Sequence, residues 1–369
     1  MSLRVINFAN LRLGSAFVPL GVRGRDMRAQ LVATLAHVGD LAIKHQVDAV
    51  LIAGDLFGCT APAASTFKYV QSFFTGLHDA HIASIILPGE RDPEGVFDSG
   101  FQPDSQDLFP GSYVLGPDMP FVRHPTADLD VYSVLLPSGA SSVVSSRAPI
   151  HASASRVAMG IGYWSGKAAP ELTTMAEAAA AAGLRYIGVG GSPSFDSGTS
   201  HGSVACSPGV PEAMDWDHSA GEIALVQFDD LGNCQVEQLA TGTLRFVRLE
   251  YSISSEDARP VGRILSEMSD SRVSLEIVLT GICPAETFID PSSLEEEFAD
   301  RYFSLRVVDR TDLQIDAGRA VSLPRGTVVG NFARIIDSRI SAAADGEEAG
   351  LQREAYRLAM HLLQGGQSS

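Results

Sequence analysis

Hydrophobic and polar positions follow two different periods along the chain, and these periods predict its first elements. Apolar residues recur at every third or fourth position over about 26–45, which predicts an amphipathic helix. Continuous apolar runs at 48–53 and 82–87 predict strands that are buried on both faces. A weakly alternating strand is expected at 4–8, and a second helix over 62–78. Strands that alternate with helices in this way are typical of a parallel sheet with right-handed crossovers.

Strand patterns dominate the middle of the chain, with one Ala-rich helix expected over about 171–183. The expected strands lie at 112–115, 121–123, 131–136, 156–161, 185–189, 223–228, 234–239 and 244–249. The segment 191–220 is rich in Gly, Ser, Pro and Asp and predicts a long loop. The turn residues Asp229–Asn233 predict a hairpin between two of the strands. We therefore expect a second half of the sheet.

A shift in composition predicts a domain boundary, so that residues 1–252 form the first domain. Residues 253–318 alternate between helix and strand patterns and predict a small α+β domain. Residues 319–369 predict a C-terminal helical segment with two apolar stripes, one over 328–336 and one over 351–363. Such stripes more often pack within the chain than dock a partner, and both interpretations stay open.

The formal net charge of −17 argues against a broad nucleic-acid surface, because contacts with phosphate dominate nonspecific affinity. A local basic patch stays open as an interpretation, since Arg12, Arg23, Arg25 and Arg28 fall within one N-terminal stretch. Ordinary surface arginines explain the same stretch equally well.

The four cysteines are scattered and form no Cys-x-x-Cys pair, so we expect neither a structural zinc site nor a disulfide framework. No apolar run approaches the ~20 residues that span a bilayer. The first residues do not have the pattern of a signal peptide. We therefore expect a cytoplasmic protein.

The strongest candidate for chemistry is Asp55, which directly follows an apolar run and Gly54. In an open α/β sheet, ligands bind beyond the carboxyl ends of the strands. Asp55 therefore lies where a metal ion or a substrate is expected.

Segments that frame the predicted strands carry a resemblance to a known family. They are Asn10–Ser15, Gly54–Phe57, Pro88–Asp92, Tyr186–Pro193 and Ser207–Pro211. In order and spacing they resemble the calcineurin-like metallophosphoesterases, and within that family the DNA double-strand-break repair exonucleases with an SbcD-like nuclease subunit. Members of that branch carry Asp-x-His-Leu-Gly, Gly-Asp-Leu-Phe, Pro-Gly-Asn-His-Asp, a lone His and a Gly-His-x-His turn. The resemblance covers about residues 1–250.

The resemblance implies an α/β fold, a four-layer αββα metallophosphoesterase sandwich of two mixed sheets. A small α+β cap domain and C-terminal helices would follow it. The family uses two metal ions that clamp a phosphate and generate a hydroxide. By resemblance, the first ion would be held at Asn10, Arg12, Asp55 and Pro193. The second would be held at Asp55, Glu90, a residue near Ile161–Gly162, and Gly191, with Arg91 at the position of the general-acid histidine.

Most of these positions hold residues that are poor metal ligands. Arginine keeps its proton, and glycine and proline side chains have no donor atom. Only Asp55 and Glu90 are convincing ligands, with Asn10 as a weak oxygen donor. We therefore expect a catalytically degenerate homologue, a pseudoenzyme with no cofactor or one weakly bound Mn²⁺ or Mg²⁺ ion. Remnants of the former site would be Asp92, Gly191 and Pro193.

Three interpretations of the altered site stay open. In the first, Arg12 and Arg91 form a network with the carboxylates of Asp55, Glu90 and Asp92 and replace the metals. In the second, the same two guanidinium groups bind a phosphate ligand, because arginine matches phosphate geometry. In the third, the carboxylates hold one metal ion completed by waters and support a phosphoesterase or exonuclease.

The leading hypothesis is a scaffold or regulatory subunit. By resemblance its partner is an SMC-like ATPase with a long coiled coil, and the C-terminal helices are the candidate docking element. Contact with DNA through the N-terminal arginines is a further hypothesis, which the acidic balance weakens. The resemblance also implies a homodimer formed through the phosphoesterase domain.

Overall fold

The structure is a computed structural model in which the chain divides into two compact units, residues 1–246 and 247–369. The division into three parts that was expected from composition stays a prediction. The described residues are 3–59, 61–93, 95, 97, 109–136, 145–146, 150, 156–166, 168–216, 221–253, 261–284, 289–314, 328–342, 348, 351–352, 355 and 359.

The first unit follows the predicted order of strands and helices. Its strands are β1 (Leu3–Phe8), β2 (Ala49–Ala53), β3 (Ala83–Leu87), β4 (Ser112–Val114), β5 (Phe121–Arg123), β6 (Leu129–Leu135), β7 (Ser145–Ser146), β8 (Val157–Tyr163), β9 (Tyr186–Gly190), β10 (Phe195–Ser200), β11 (Ser203–Pro208), β12 (Glu222–Phe228) and β13 (Cys234–Ala240). Its helices are α1 (Gly24–Lys44), α2 (Ala64–Asp79) and α3 (Leu172–Ala182), with a 3-10 helix at Val18–Arg23. The helices expected over 26–45 and 62–78 are confirmed to within two residues at each end.

These strands form two mixed sheets. The first has the order β13-β12-β1-β2-β3-β4, with β1 to β4 parallel and β12 antiparallel to both of its neighbours. The second has the order β10-β11-β9-β8-β6-β5, and β7 pairs with β6 beside it. In it β11, β9, β8 and β6 are parallel, and both outer strands are antiparallel to them.

A core of apolar side chains fills the space between the two sheets. Leu51 and Ile85 of the first sheet pack there against residues such as Ile161 of the second. A separate core joins the outer face of the second sheet to α3. On the outer face of the first sheet, the ring of Phe8 meets that of Phe73 on α2 edge-to-face, with 6.3 Å between centroids. The order of helices, sheet, sheet and helix confirms the predicted four-layer α/β sandwich.

The prediction of one long loop at 191–220 is wrong, because part of this segment forms a hairpin in the second sheet. Strands β10 and β11 pair antiparallel, and β11 also pairs in parallel with β9. All of β11 is buried, although it contains two serines and a proline. Small residues suit this hairpin because backbones approach closely there. A Cβ at Gly198 of β10 would lie 2.3 Å from the backbone nitrogen of Thr173 on α3. Polar composition therefore concealed a buried strand.

The second unit is a small α+β assembly, as predicted. Its elements are β14 (Arg245–Ile253), which begins just before the division, α4 (Val261–Glu267), β15 (Val273–Pro284), α5 (Pro291–Phe298), β16 (Ser304–Asp309), β17 (Asp312–Gln314) and α6 (Val328–Ala342). The sheet order is β14-β15-β16, and β17 pairs with β15. Leu265 and Phe298 cover β15 through a core that includes Leu275 and Ile277. The second stripe expected over 351–363 lies largely outside the described residues.

None of the helices in the described part of the chain is long and apolar enough to cross a membrane.

A buried imidazole, that of His124, links the end of β5 in the second sheet to the residue before β2 in the first sheet. The Nδ1 atom of His124 accepts hydrogen bonds from the backbone N–H groups of Thr126 and Ala127, at 3.2 and 2.9 Å. Its proton therefore sits on Nε2, which donates to the carbonyl oxygen of Asp48 at 3.1 Å. Burial lowers the pKa of His124, and the charge of Arg156 acts in the same direction. The fold thus contains a neutral histidine.

We expect His124 to make the protein less stable below about pH 6.5. The unfolded state takes up a proton that the folded state binds less well, so the free energy of unfolding falls by at most about 1.4 kcal/mol per pH unit. His124→Asn keeps an acceptor for the two amide N–H groups and removes this titration. In urea unfolding between about pH 7 and pH 5, the stability difference between wild type and variant should shrink. The exposed His201→Asn change is the control, and a constant difference for His124→Asn would contradict the assignment.

Candidate functional site

The candidate residues gather where strands of both sheets end. Asn10 and Arg12 follow β1, Asp55 follows β2, and the segment Glu90–Asp92 follows β3. From the second sheet, Tyr163 closes β8, and the segment after β9 completes the set. The structure therefore brings the residues that were expected from the sequence to one end of the sandwich.

The backbone at this end is left-handed at three residues that are not glycine. Asn10, Arg12 and Asp55 have φ angles of 59°, 54° and 53°. Such a conformation costs about 1–2 kcal/mol per residue and persists only where surrounding contacts determine it. Here the Asn10 N–H donates to the Gly54 carbonyl at 3.0 Å, and the Arg12 N–H to the Asp55 carbonyl at 2.9 Å. The loops after β1 and β2 thus hold one another in place.

The carboxylate of Asp55 is fully buried, and both of its oxygens accept hydrogen bonds. Oδ1 accepts from the backbone N–H of Arg91 at 2.9 Å, and Oδ2 from the hydroxyl of Tyr163 at 2.9 Å. The Nε atom of Arg91 lies 3.5 Å from Oδ2, so a positive charge stabilises the buried anion. Because Asp55 follows a strand of the first sheet and Tyr163 ends a strand of the second, this carboxylate links the two sheets.

Tyr163 is a site residue that sequence reasoning missed. The resemblance placed the corresponding ligand near Ile161–Gly162, which is one or two residues earlier in the chain. Burial, and then the adjacent Asp55 carboxylate, raise the pKa of the Tyr163 phenol. The hydroxyl therefore keeps its proton and acts as a donor. The sequence did offer one signal, a residue with a polar tip at the end of a buried strand.

Asn10 makes a second link between the sheets. Its Nδ2 donates to the carbonyl oxygens of Ser192 at 2.8 Å and Gly209 at 3.2 Å, and its Oδ1 accepts from the N–H of Gly191 at 3.2 Å. These three backbone groups follow strands of the second sheet. The side chain is fully buried. Asn10 thus satisfies backbone groups that would otherwise be unpaired at the strand ends.

The other two carboxylates of the site have different surroundings. Asp92 accepts hydrogen bonds from the N–H groups of Phe57 and Gly89, both at 2.8 Å, and so ties the turn after β3 to the loop after β2. Burial raises the pKa of Asp92 to about 6, although these two hydrogen bonds act in the opposite direction. Glu90 is exposed, and its side chain makes no hydrogen bond with the described residues.

The two arginines of the site are not equivalent. Arg91 pairs with Asp55, whereas Arg12 makes no ion pair with any described residue. The buried Nε of Arg12 also lacks a hydrogen-bond partner within the described part of the chain. Burial, and next the charge of Arg91, lower the pKa of Arg12, while Asp55, Tyr163 and Asp215 act in the opposite direction. The backbone N–H groups of both arginines bind Asp55, one at its carbonyl oxygen and one at Oδ1, so the two residues flank the same aspartate.

The segment after β9 has no room for a ligand side chain. Gly191 has a φ of +85°, and a Cβ there would lie 2.1 Å from the carbonyl oxygen of Trp164. One residue earlier, a Cβ at Gly190 would lie 1.5 Å from the carbonyl oxygen of Ala53. Pro193 follows and has no donor atom in its side chain. The backbone itself thus fills the place where the resemblance expects two ligands.

These residues do not fit a centre of two metal ions. The oxygens of Asp55 and Asn10 already face hydrogen-bond donors of the protein. Within the described ranges, no three His, Cys, Asp or Glu side chains are grouped so that they could hold a metal ion. The guanidinium groups of Arg12 and Arg91 add repulsion toward a divalent cation. We therefore derive no metal-dependent step for this site.

Comparison with known proteins gives distant structural likenesses. No family model and no curated protein matches the chain. A structure from Thermus thermophilus is 14% identical and aligns with 65% of this chain and 100% of its own, with a TM-score of 0.40. A predicted phosphoesterase from Streptococcus pneumoniae is 10% identical over 65% of this chain and 91% of its own, with a TM-score of 0.28. Vacuolar Protein Sorting 29 from Cryptosporidium parvum is 11% identical over 65% and 98%, with a TM-score of 0.29. Likenesses at this level carry no argument about activity.

We expect Tyr163→Phe to destabilise the first unit, because the buried Oδ2 of Asp55 loses its hydroxyl donor. A lost hydrogen bond to a buried charged acceptor costs about 1–3 kcal/mol. Chemical denaturation should report this loss. The control is Tyr69→Phe on α2, where the aromatic residue is 52% exposed. Equal stability of both variants would show that the Tyr163 hydroxyl does not support Asp55.

Proposed function

We propose that this chain is a catalytically silent relative of the metal-dependent phosphoesterases, and that it serves as a scaffold or regulatory subunit. The observation that carries the proposal is the state of Asp55. This carboxylate is fully buried, and each of its oxygens accepts a hydrogen bond from a different segment. Both carboxylate oxygens therefore bind donors of the protein itself.

The chemistry of a buried carboxylate explains why these partners matter. A buried charge without partners is costly, and a carboxylate in that position would be driven toward its protonated form. The hydroxyl of Tyr163 and the amide and guanidinium groups of Arg91 provide partners that need no bound ion. A phosphoesterase that lost its metals could keep this end of the sandwich folded in the same way.

The group at the general-acid position also supports a silent site. By the resemblance, Arg91 stands where the family has a histidine that protonates the leaving group. A guanidinium group stays protonated at working pH and cannot cycle a proton. The phenol of Tyr163, with its raised pKa, is no better suited to exchange one.

We further propose that the chain is a relative of the DNA double-strand-break repair exonucleases and that its partner is an SMC-like coiled-coil ATPase. The order of the five family-like segments supports this placement. The C-terminal helices are the proposed docking element. On α6, Ile335 is 55% exposed although its neighbour Ile336 is buried, so the helix presents an apolar side chain outward.

We expect purified protein to show no turnover with Mn²⁺ or Mg²⁺ on a chromogenic phosphodiester or on linear DNA. The physical reason is that both carboxylate oxygens of Asp55 already accept hydrogen bonds from the protein, and that Arg91 rather than a metal ligand lies beside them. Any turnover that is found should be measured again in Asp55→Ala and in the exposed control Asp79→Ala. Turnover that Asp55→Ala abolishes and Asp79→Ala keeps would overturn the proposal and favour an enzyme with a reduced metal site.

We expect deletion of residues 325–369 to abolish pull-down of the SMC-like ATPase while the remaining chain stays folded by circular dichroism. A sharper variant is Ile335→Glu, which places a charge on the exposed side of α6 and should weaken the interaction. Leu231→Glu is the matched control, because this residue is 86% exposed at the hairpin between β12 and β13. Undiminished pull-down by the deletion variant would count against docking through this segment.

A further inference from the structure

We infer that Arg12 and Arg91 together bind the oxyanion of a phosphate group without a metal ion. The ligand is a free phosphate or the phosphate of an ester, which share the same tetrahedral oxygens. This inference rests on the proposed function. A metal centre around Asp55 would occupy the same space, and its positive charge would repel the two guanidinium groups.

The first observation concerns Arg12, which is a half-buried cation without a bonded counter-charge. Its backbone is fixed in the left-handed region by the hydrogen bond from its N–H to the carbonyl of Asp55 at 2.9 Å. Its Nε is buried and has no hydrogen-bond partner in the described part of the chain. No hydrogen bond or ion pair among the described residues uses its terminal nitrogens either, so an anion that accepts from these N–H groups would supply the missing counter-charge.

The second observation concerns Arg91, which binds Asp55 through its backbone N–H, as Arg12 does, and whose side chain faces solvent. Its side chain is 56% exposed, while the carboxylate it pairs with is fully buried. Only its Nε approaches Asp55, at 3.5 Å. Because a guanidinium group carries five N–H donors, most of its donors are left for another acceptor. The charge of Arg91 is also felt by Arg12, whose pKa it lowers.

Two neighbouring guanidinium groups with spare donors suit a tetrahedral oxyanion. Arginine binds phosphate through two parallel charge-assisted hydrogen bonds, and these are stronger than hydrogen bonds between neutral groups. An anion between Arg12 and Arg91 would replace their mutual repulsion by attraction to both. The site thus has the charge and the donors that phosphate recognition requires.

The nearby carboxylates do not take the place of this ligand. Asp55 accepts hydrogen bonds from Tyr163 and Arg91, and Asp92 accepts them from two backbone N–H groups. Of the groups that act on the pKa of Arg12, Asp215 has the smallest effect. The exposed Glu90 adds negative charge near Tyr163. This charge favours a singly charged phosphodiester over a doubly charged phosphate.

The test is isothermal titration calorimetry of the full chain in EDTA with inorganic phosphate, a phosphomonoester or a dinucleotide. We expect binding in at least one of the three arms, and the strongest arm identifies the source of the phosphate. Arg12→Gln and Arg91→Gln should each weaken binding by about tenfold or more, as expected for a lost hydrogen bond between charged groups. Arg25→Gln is the matched control, because Arg25 is an exposed arginine at the start of α1 and should leave the affinity unchanged.

Two results would overturn the inference. One is the absence of binding in all three arms at millimolar ligand. The other is binding that both Arg12→Gln and Arg91→Gln leave unchanged. Arg91→Gln keeps the test valid if Arg12→Gln fails to fold, because the Arg91 side chain is 56% exposed. Failure of the proposed function gives a different result, namely turnover that requires Mn²⁺ and Asp55.

Discussion

The carboxylate of Asp55 is a buried polar link between the two sheets of the first unit, at the carboxyl ends of their strands. Apolar packing holds the sheets together along most of their length. At the carboxyl ends of the strands, backbone N–H and C=O groups leave the sheet hydrogen bonding, and residues of the loops adopt left-handed conformations. These backbone groups need hydrogen-bond partners, which apolar packing does not provide. Asp55 binds Tyr163 across this gap, and Asn10 binds three backbone groups on the far side. The strained loops depend on these buried links.

This arrangement accounts for the unusual mixture of residues at the site. Neutral hydrogen-bond donors and one ion pair hold these strand ends together. The hydroxyl of Tyr163 is directional and keeps its proton, and the pair between Arg91 and Asp55 is half exposed. Arg12 makes no ion pair with any described residue, and this unbalanced positive charge is the basis of the proposed phosphate binding.

The sequence was sufficient for the architecture of the first unit but only partly so for its site. Long apolar runs and helical periodicity located α1, α2, β2 and β3 because each buries a wide face. The sequence did not predict the hairpin of β10 and β11, because its small and polar residues lack the apolar pattern of a buried strand. The family-like segments located Asp55 and Asn10. They did not reveal Tyr163, because its role depends on a bond between sheets that no local pattern encodes.

The close approach of the backbones near β9 limits which residues this turn accepts. A larger residue at Gly190 would push against Ala53 of the first sheet, and one at Gly191 against Trp164 of the neighbouring strand segment. A histidine at either position would therefore displace the backbone before its imidazole could enter the site. The packing of the fold therefore decides the residue type at both positions, whatever chemistry the site performs.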